Sequence, residues 1–175
     1  HGWEDHSGAL LGLVGPLRDR GYGVVVLDAP GHGLSPPMDT HLLDTADALT
    51  ALLGQVGRVS AIVAHSYGAC ATAMMLARQP EWCPDHLSLV SPMQGIRQHL
   101  AIFAGIAGLS ESAWHRLQEG LAQDLGQALE DICILQAAGQ LTVPGLIVHD
   151  RLDPLIPYSV STQLASVWRQ AELVV

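Results

Sequence analysis

Positive charge is scarce in this chain: 8 lysine and arginine residues stand against 17 aspartates and glutamates over 175 residues, a formal charge of −9. That balance repels phosphate backbones and anionic lipid, so nucleic acid is not an expected partner. Cysteine is nearly as sparse. Cys70, Cys83 and Cys133 are odd in number and show no CxxC spacing, which argues against a disulfide framework or a zinc site and for three reduced thiols in a cytoplasmic protein. No apolar run is long. LAIFAGIAGL at 100–109 falls far short of the ~20 residues that a membrane span needs. The opening HGWEDH lacks the basic and apolar parts of a signal peptide, and it also lacks an initiator methionine.

What the chain does have is core-forming material, with 49% hydrophobic residues, enough for one domain and too little length for two ordinary ones. Short β-branched runs alternate with helical periods. VVVLD at 24–28, VSAIVAH at 59–65, HLSLV at 86–90, GLIVHD at 145–150 and AELVV at 171–175 read as five strands, and their near-continuous apolar character implies burial in a parallel sheet covered on both faces by helices. Between them, Leu42, Ala46, Leu49 and Leu53 recur at helical spacing, with Asp39 and Thr40 as caps and Gly57 as a stop. Val160, Leu164 and Val167 make a similar stripe. The segment 8–20 is interrupted by Gly15 and Pro16, which fits either a kinked helix or a late start. An α/β fold with a mostly parallel sheet follows. From 92 to 142 the rhythm breaks, with about fifty residues of helical pattern and no strand, more than one crossover needs. An insertion of two or three helices within a single domain spanning 1–175 is expected.

The stretch AHSYG at 64–68 places a serine between a strand and the small-residue helix YGACATAMMLAR. Two readings are open from the pentapeptide alone. Ser66 either caps the helix or sits on a sharp strand-turn-helix corner of the G-x-S-x-G kind, with Ala64 replacing the first glycine, which lifts its hydroxyl into a cleft. On the second reading the helix starting at Tyr67 points unpaired N–H groups at a developing oxyanion, which suits acyl transfer.

Three further stretches, HGW at 1–3, DAPGHGLS at 28–35 and HDRLDPLIP at 149–157, stand with AHSYG in the order and rough spacing of the α/β-hydrolase family, which the sequence resembles from end to end. The resemblance implies Ser66 as nucleophile and Asp153 as triad acid, with Pro157 matching the family's proline and Asp150 the competing acid. It also implies an oxyanion hole made by the backbone N–H groups of Trp3 and Tyr67. In DAPGHGLS, Gly31 and Gly33 permit a tight loop, Asp28 ties down the backbone and His32 is structural. The segment 92–142 resembles the family's helical cap. Its small and apolar residues favour an uncharged, partly apolar small-molecule substrate, or else pack on the main domain.

A serine nucleophile needs a histidine base, and the family order is Ser, acid, His. All nine histidines precede Asp153. His65 is expected to point away from Ser66, and His1 belongs to the oxyanion loop. The base is therefore expected beyond Val175, the chain is expected to be clipped at both ends, and alone it should be almost inactive. The function implied is a serine esterase that needs no cofactor or metal. The alternative is an α/β-hydrolase-fold protein that binds a ligand or partner without turnover. A metal enzyme built on HGWEDH or HDRLD lacks the histidine pair or cysteine spacing such a cage requires.

Overall fold

The computed structural model describes residues 1–175. After a 3₁₀ turn at Ser7–Leu10 the elements are α1 (Leu11–Asp19), α2 (Leu42–Val56), β1 (Ala61–His65), α3 (Tyr67–Arg78), β2 (His86–Val90), α4 (Ile96–Ile106), α5 (Glu111–Leu125), α6 (Ile134–Ala138), β3 (Gly145–Val148), α7 (Ser159–Val167) and β4 (Ala171–Val174). The four strands form one sheet in the order β1-β2-β3-β4, every pair parallel. This is the α/β architecture that the alternating pattern predicts.

The register decides which residues reach the core. Ile62 and Ala64 lie level with Leu87 and Leu89, and these lead on to Gly145 and Ile147, then to Ala171 and Leu173. On this face Ala64, Leu87, Leu89 and Ile147 are buried, and α3 packs on β1 while α7 packs on β3 and β4, with α6 between α3 and α7. The opposite face carries Val63, His65, Ser88, Val90, Leu146 and Val148, none of them buried. Burial is thus concentrated under one helical layer, and the even covering that the apolar runs suggest is not reached.

One expected strand is absent. Residues 24–28 form no ladder, and Val25 and Val26 are 57% and 45% exposed. Local β-propensity cannot make a strand without a partner for its N–H and C=O groups, and the sheet ends at β1. The helical expectations fare better. α2 ends at Gly57 as foreseen, but its N-cap is His41, whose ring accepts from the Asp44 N–H while the Asp44 carboxylate accepts from the His41 N–H, so the cap lies past Asp39 and Thr40. The segment 8–20 resolves as a late start at Leu11 with Pro16 inside α1.

The long stretch between β2 and β3 holds three helices, and its base is clamped. Gly95 and Cys133 form an isolated antiparallel bridge, the Ile134 N–H donates to the Gln94 carbonyl at 2.8 Å, and a Cβ at Gly95 would run into the Ile132 carbonyl. Residues 96–132 are therefore a closed excursion that leaves and returns at one point, and α6 alone serves as the crossover.

Trp168 closes the far end of the core. It is fully buried, its indole N–H donates to the Val143 carbonyl at 3.0 Å, and its ring occupies the space that a side chain on Gly145 would need. Gly145→Ala should therefore destabilise the fold by about 1–3 kcal/mol through overpacking. Chemical denaturation followed by tryptophan fluorescence checks this, and an unchanged midpoint would refute it.

Candidate functional site

In an open parallel sheet the residues just past the carboxyl ends of neighbouring strands converge on one crevice. Here Ser66 follows β1, Ser91 follows β2 and the loop 149–157 follows β3. Because these strands are adjacent, residues far apart in sequence share one edge.

Ser66 sits at φ 51°, ψ −112°, and its side chain makes no capping bond to α3. The helix-capping reading therefore fails. A non-glycine residue in this region costs about 1–3 kcal/mol and persists only where its surroundings hold it. Its N–H donates to the Val90 carbonyl at 2.9 Å, and its carbonyl accepts from the Met93 N–H at 3.2 Å, so β2 and the loop that leaves it pin the turn on both sides. α3 then presents an unbroken buried run from Tyr67 to Leu76, whose small residues allow close approach to α2, α6 and β1.

The HGW loop folds onto this corner. The Gly68 N–H donates to the His1 carbonyl at 3.1 Å, and a Cβ at Gly68 would come within 2.7 Å of that oxygen. A Cβ at Gly2 would lie 3.7 Å from the Ser66 Cβ. The His1 ring is fixed as well, its Nε2 accepting from the Ala29 N–H at 2.9 Å and its Nδ1 donating to the Gly2 carbonyl at 2.8 Å. The Trp3 indole stands edge-on to the Tyr67 ring, centroids 5.0 Å apart. Burial pushes the Tyr67 phenol up to about 12, and its oxygen lies 3.2 Å from the Thr45 hydroxyl, so this ring packs and does not titrate near neutrality. Trp3 and Tyr67 donate their backbone N–H groups to no acceptor in the protein. Two amides without a protein acceptor thus lie on the two segments that meet at the serine, Tyr67 next to it in sequence and Trp3 next to the Gly2 that packs near its Cβ.

His65 does not point into empty space. Its ring lies under the HGW loop, 3.3 Å from where a Gly2 side chain would begin, and burial lowers its affinity for a proton.

Asp153 and Asp150 separate clearly. Asp150 is exposed and its carboxylate accepts only from the Leu152 N–H at 2.9 Å. Asp153 is largely enclosed, 15% exposed in its side chain, and its Oδ1 accepts from the Leu155 and Ile156 N–H groups, both at 2.9 Å. Partial burial works against its charge, but those two amides, the Ser91 hydroxyl and His149 outweigh it and hold the carboxyl below the usual range. Ser91 has φ 40°, a second strained serine between Ser66 and Asp153. Ser91 belongs to no motif, and His149, although it opens HDRLDPLIP, carried no assigned role, because what each does arises from adjacency across the sheet.

A cleft of about 420 Å³ opens beside the HGW loop, bordered by Trp3, Glu4, Asp5, His32, Met38 and Asp39. A larger hollow of about 520 Å³ lies at the opposite strand ends, around Arg58, Asp85 and Pro144, away from every residue just described. No group of three or more His, Cys, Asp or Glu side chains is arranged to hold a metal, and no helix is long and apolar enough to cross a membrane.

With this geometry in place, the chain can be set among known proteins. A family model described as "Alpha/beta hydrolase family" matches residues 1–175, and the chain belongs to the alpha/beta hydrolase family. Curated relatives include the pimeloyl-[acyl-carrier protein] methyl ester esterase of Methylococcus capsulatus, 30% identical over 139 residues that make up 79% of this chain and 52% of the relative. The enzyme of the same name from Nitrosomonas europaea is 28% identical over 141 residues, again 79% and 52%. The chain therefore spans about half the length of these relatives. Among solved structures, the Paleococcus ferrophilus monoacylglycerol lipase superposes with a TM-score of 0.75 at 19% identity, over 99% of this chain and 80% of that one. An esterase from Exiguobacterium antarcticum gives 0.76 at 16%, with the same coverage. At such identities these structures show a common fold.

The loop 28–35 supports the site from below. The Asp28 carboxylate accepts from the Ser7 N–H at 2.7 Å and the Leu34 N–H at 2.9 Å, and the Ser35 hydroxyl donates to the Asp28 carbonyl at 2.8 Å. Gly33, at φ 55°, leaves the room this carboxylate needs. His32 is buried and held through Nδ1 to the Pro30 carbonyl at 2.8 Å. The Leu34 and Ser7 amides pull the Asp28 carboxyl down to about 2. A folded-state value below the unfolded one gives stability that is present above about pH 4 and is lost as the pH falls toward about 2. The difference in urea midpoint between the protein and Asp28→Asn should accordingly shrink from pH 6 to pH 2.5. A difference that stays constant over this range would show that the carboxylate charge is not what holds the loop.

Proposed function

We propose that this chain is the greater part of the catalytic domain of a serine esterase. Ser66 is the nucleophile, Asp153 the triad acid, and the Trp3 and Tyr67 N–H groups form the oxyanion hole. The reading is carried by one observation: a serine held at φ 51°, its side chain unused by the helix it heads, beside two amide N–H groups that donate to no protein acceptor. In the reaction the Ser66 oxygen attacks an ester carbonyl, the displaced charge is received by the two amides, and a histidine takes the serine proton and passes it to the leaving alcohol. The second half returns the enzyme through attack of water on the acyl-serine.

The base is a histidine C-terminal to Val175. Supporting this, the rings of His1, His32 and His149 are engaged by Ala29, Pro30 and Ile156, and each of the nine histidines precedes Asp153, whereas the family order is Ser, acid, His. Without that base the 175-residue chain should retain on the order of 10⁻⁶ of full turnover.

The substrate is a carboxylic ester of a small, uncharged and partly apolar molecule, with the closed excursion at 96–132 acting as a cap over the site. α4 favours the apolar character and the cap, since it contributes no buried residue to the core and leaves Phe103 and Ile106 47% and 76% exposed. The ester bond alone is favoured by the two curated relatives, which are pimeloyl-[acyl-carrier protein] methyl ester esterases. Three free thiols, one of them buried, accord with a reducing, cytoplasmic setting.

A fluorophosphonate probe tests the assignment on the full-length protein. Wild type should label at Ser66, Asp153→Asn more slowly, and Ser66→Ala not at all. Equal labelling of Ser66→Ala would overturn the nucleophile, and an unlabelled wild type would favour the binding protein without turnover. Gly68→Ala tests the oxyanion loop separately. Its new methyl must push the His1 carbonyl and so displace the Trp3 amide, and kcat for a nitrophenyl ester should fall about 10²-fold. An unchanged kcat would remove that amide from the mechanism.

A further inference from the structure

His149 is an almost wholly enclosed polar side chain near the site and has no part in the mechanism above. It follows β3, is 1% exposed, and its ring is held on every polar atom. Nε2 lies 3.0 Å from the Ile156 carbonyl and 3.5 Å from Asp153 Oδ2, and Nδ1 lies 2.6 Å from the Ser161 hydroxyl on α7, itself fully buried. A carbonyl can only accept, so Nε2 carries the proton, and Nδ1 accepts from Ser161. The Ile156 carbonyl on the acid loop thus sets the tautomer, and Ser161, on a different element from the acid, holds the other ring nitrogen.

The same Ile156 whose carbonyl accepts a hydrogen bond from His149 Nε2 donates its N–H to Asp153 Oδ1. The imidazole thus grips the acid loop twice, once through the Ile156 peptide and once facing the carboxylate oxygen that takes no backbone amide. Resting on the esterase reading above, we propose that His149 is a positioning residue: the Ser161–His149 pair fixes the Asp153 carboxylate in the direction from which it must orient the catalytic histidine.

The consequence is specific. A carboxylate turned by a fraction of an ångström still binds substrate normally, but orients the base poorly, so kcat falls while KM does not. Removing the ring's hydrogen bonds should matter only if Asp153 is there to be positioned.

The experiment uses the full-length protein with p-nitrophenyl acetate and compares wild type, His149→Phe, His149→Gln, Asp153→Asn and the His149→Phe/Asp153→Asn double variant. Phe keeps the ring's bulk against Tyr158, which His149 now meets edge-on at 5.8 Å, while Gln keeps a donor near the Nε2 position. His149→Phe is expected to lower kcat about 10- to 100-fold with KM within about twofold. Gln should restore most of the loss, and in the Asp153→Asn background the Phe substitution should cost nothing further. Equal losses on both backgrounds, or no rescue by Gln, would overturn the proposal.

Amide hydrogen exchange gives a readout independent of turnover. In His149→Phe the Leu155 and Ile156 N–H groups should exchange about tenfold faster while those of β2 are unchanged, because the loop alone is released. Uniform acceleration, or none, would count against positioning. Should wild type fail to hydrolyse the ester, the esterase reading falls and the exchange pattern by itself decides whether His149 holds the loop. Should His149→Phe not fold, Ser161→Ala, which removes the ring's anchor on α7, is expected to move kcat and the two amides in the same direction.

Discussion

The backbone turn at Ser66 is the constraint on which the site rests. Its dihedral angles are unfavourable for any residue with a side chain, so the strain must be offset by the neighbours that hold it. The offset comes from three directions: the Val90 carbonyl and the Met93 amide on the adjacent strand and its exit loop, the His1 carbonyl clamped by Gly68, and the packing of α3. This explains why the helix behind the serine is so poor in bulky residues through its first turns. Gly68, Ala69, Cys70, Ala71 and Ala73 are all buried, and a larger side chain at any of them would lift α3 from β1 or α2 and loosen the turn. The strain and the small-residue helix are two sides of one requirement, since only close packing can hold the corner sharp.

Two carboxylates stabilise the neighbouring loops by the same means. Asp28 and Asp153 each collect two backbone N–H groups, which satisfies donors that an irregular loop would otherwise leave open and favours the charged acid. Their purposes differ through what remains free. Asp28 uses both oxygens on amides and so is purely structural. Asp153 gives both amides to Oδ1 and leaves Oδ2 facing His149 without a backbone donor, which suits the orienting role proposed for it.

Much of this was legible beforehand, and the exceptions have physical causes. HLSLV and AHSYG announced themselves because strand, turn and helix signals are local and agree. VVVLD carried an equally strong local signal yet forms no ladder, since pairing depends on a neighbour and no window of sequence contains one. The helical stop at Gly57 could be read, whereas His41 as N-cap could not, because imidazole is an unusual cap and two better ones, Asp39 and Thr40, stand just before it. Of the residues in the proposed site, Ser66, Trp3, Tyr67 and Asp153 were marked by motif. Ser91 was not, and His149, inside a motif, had no legible role, because what distinguishes both is burial and adjacency across strands separated by some fifty residues.

The clamp at Gly95 and Cys133 sharpens what the long insertion is. A parallel crossover must leave one strand's carboxyl end and descend to the next strand's amino end, and α6 achieves this alone, packed between α3 and α7. Residues 96–132 do no topological work. They leave and return beside Met93, whose amide binds the Ser66 carbonyl, so the base of the excursion is joined to the turn itself. A segment free of topological duty can vary in length and side chains without disturbing the sheet, while any shift at its root is felt at the serine. That is the arrangement expected of an element that selects substrates, because specificity can change in the excursion while the chemistry at its foot stays fixed.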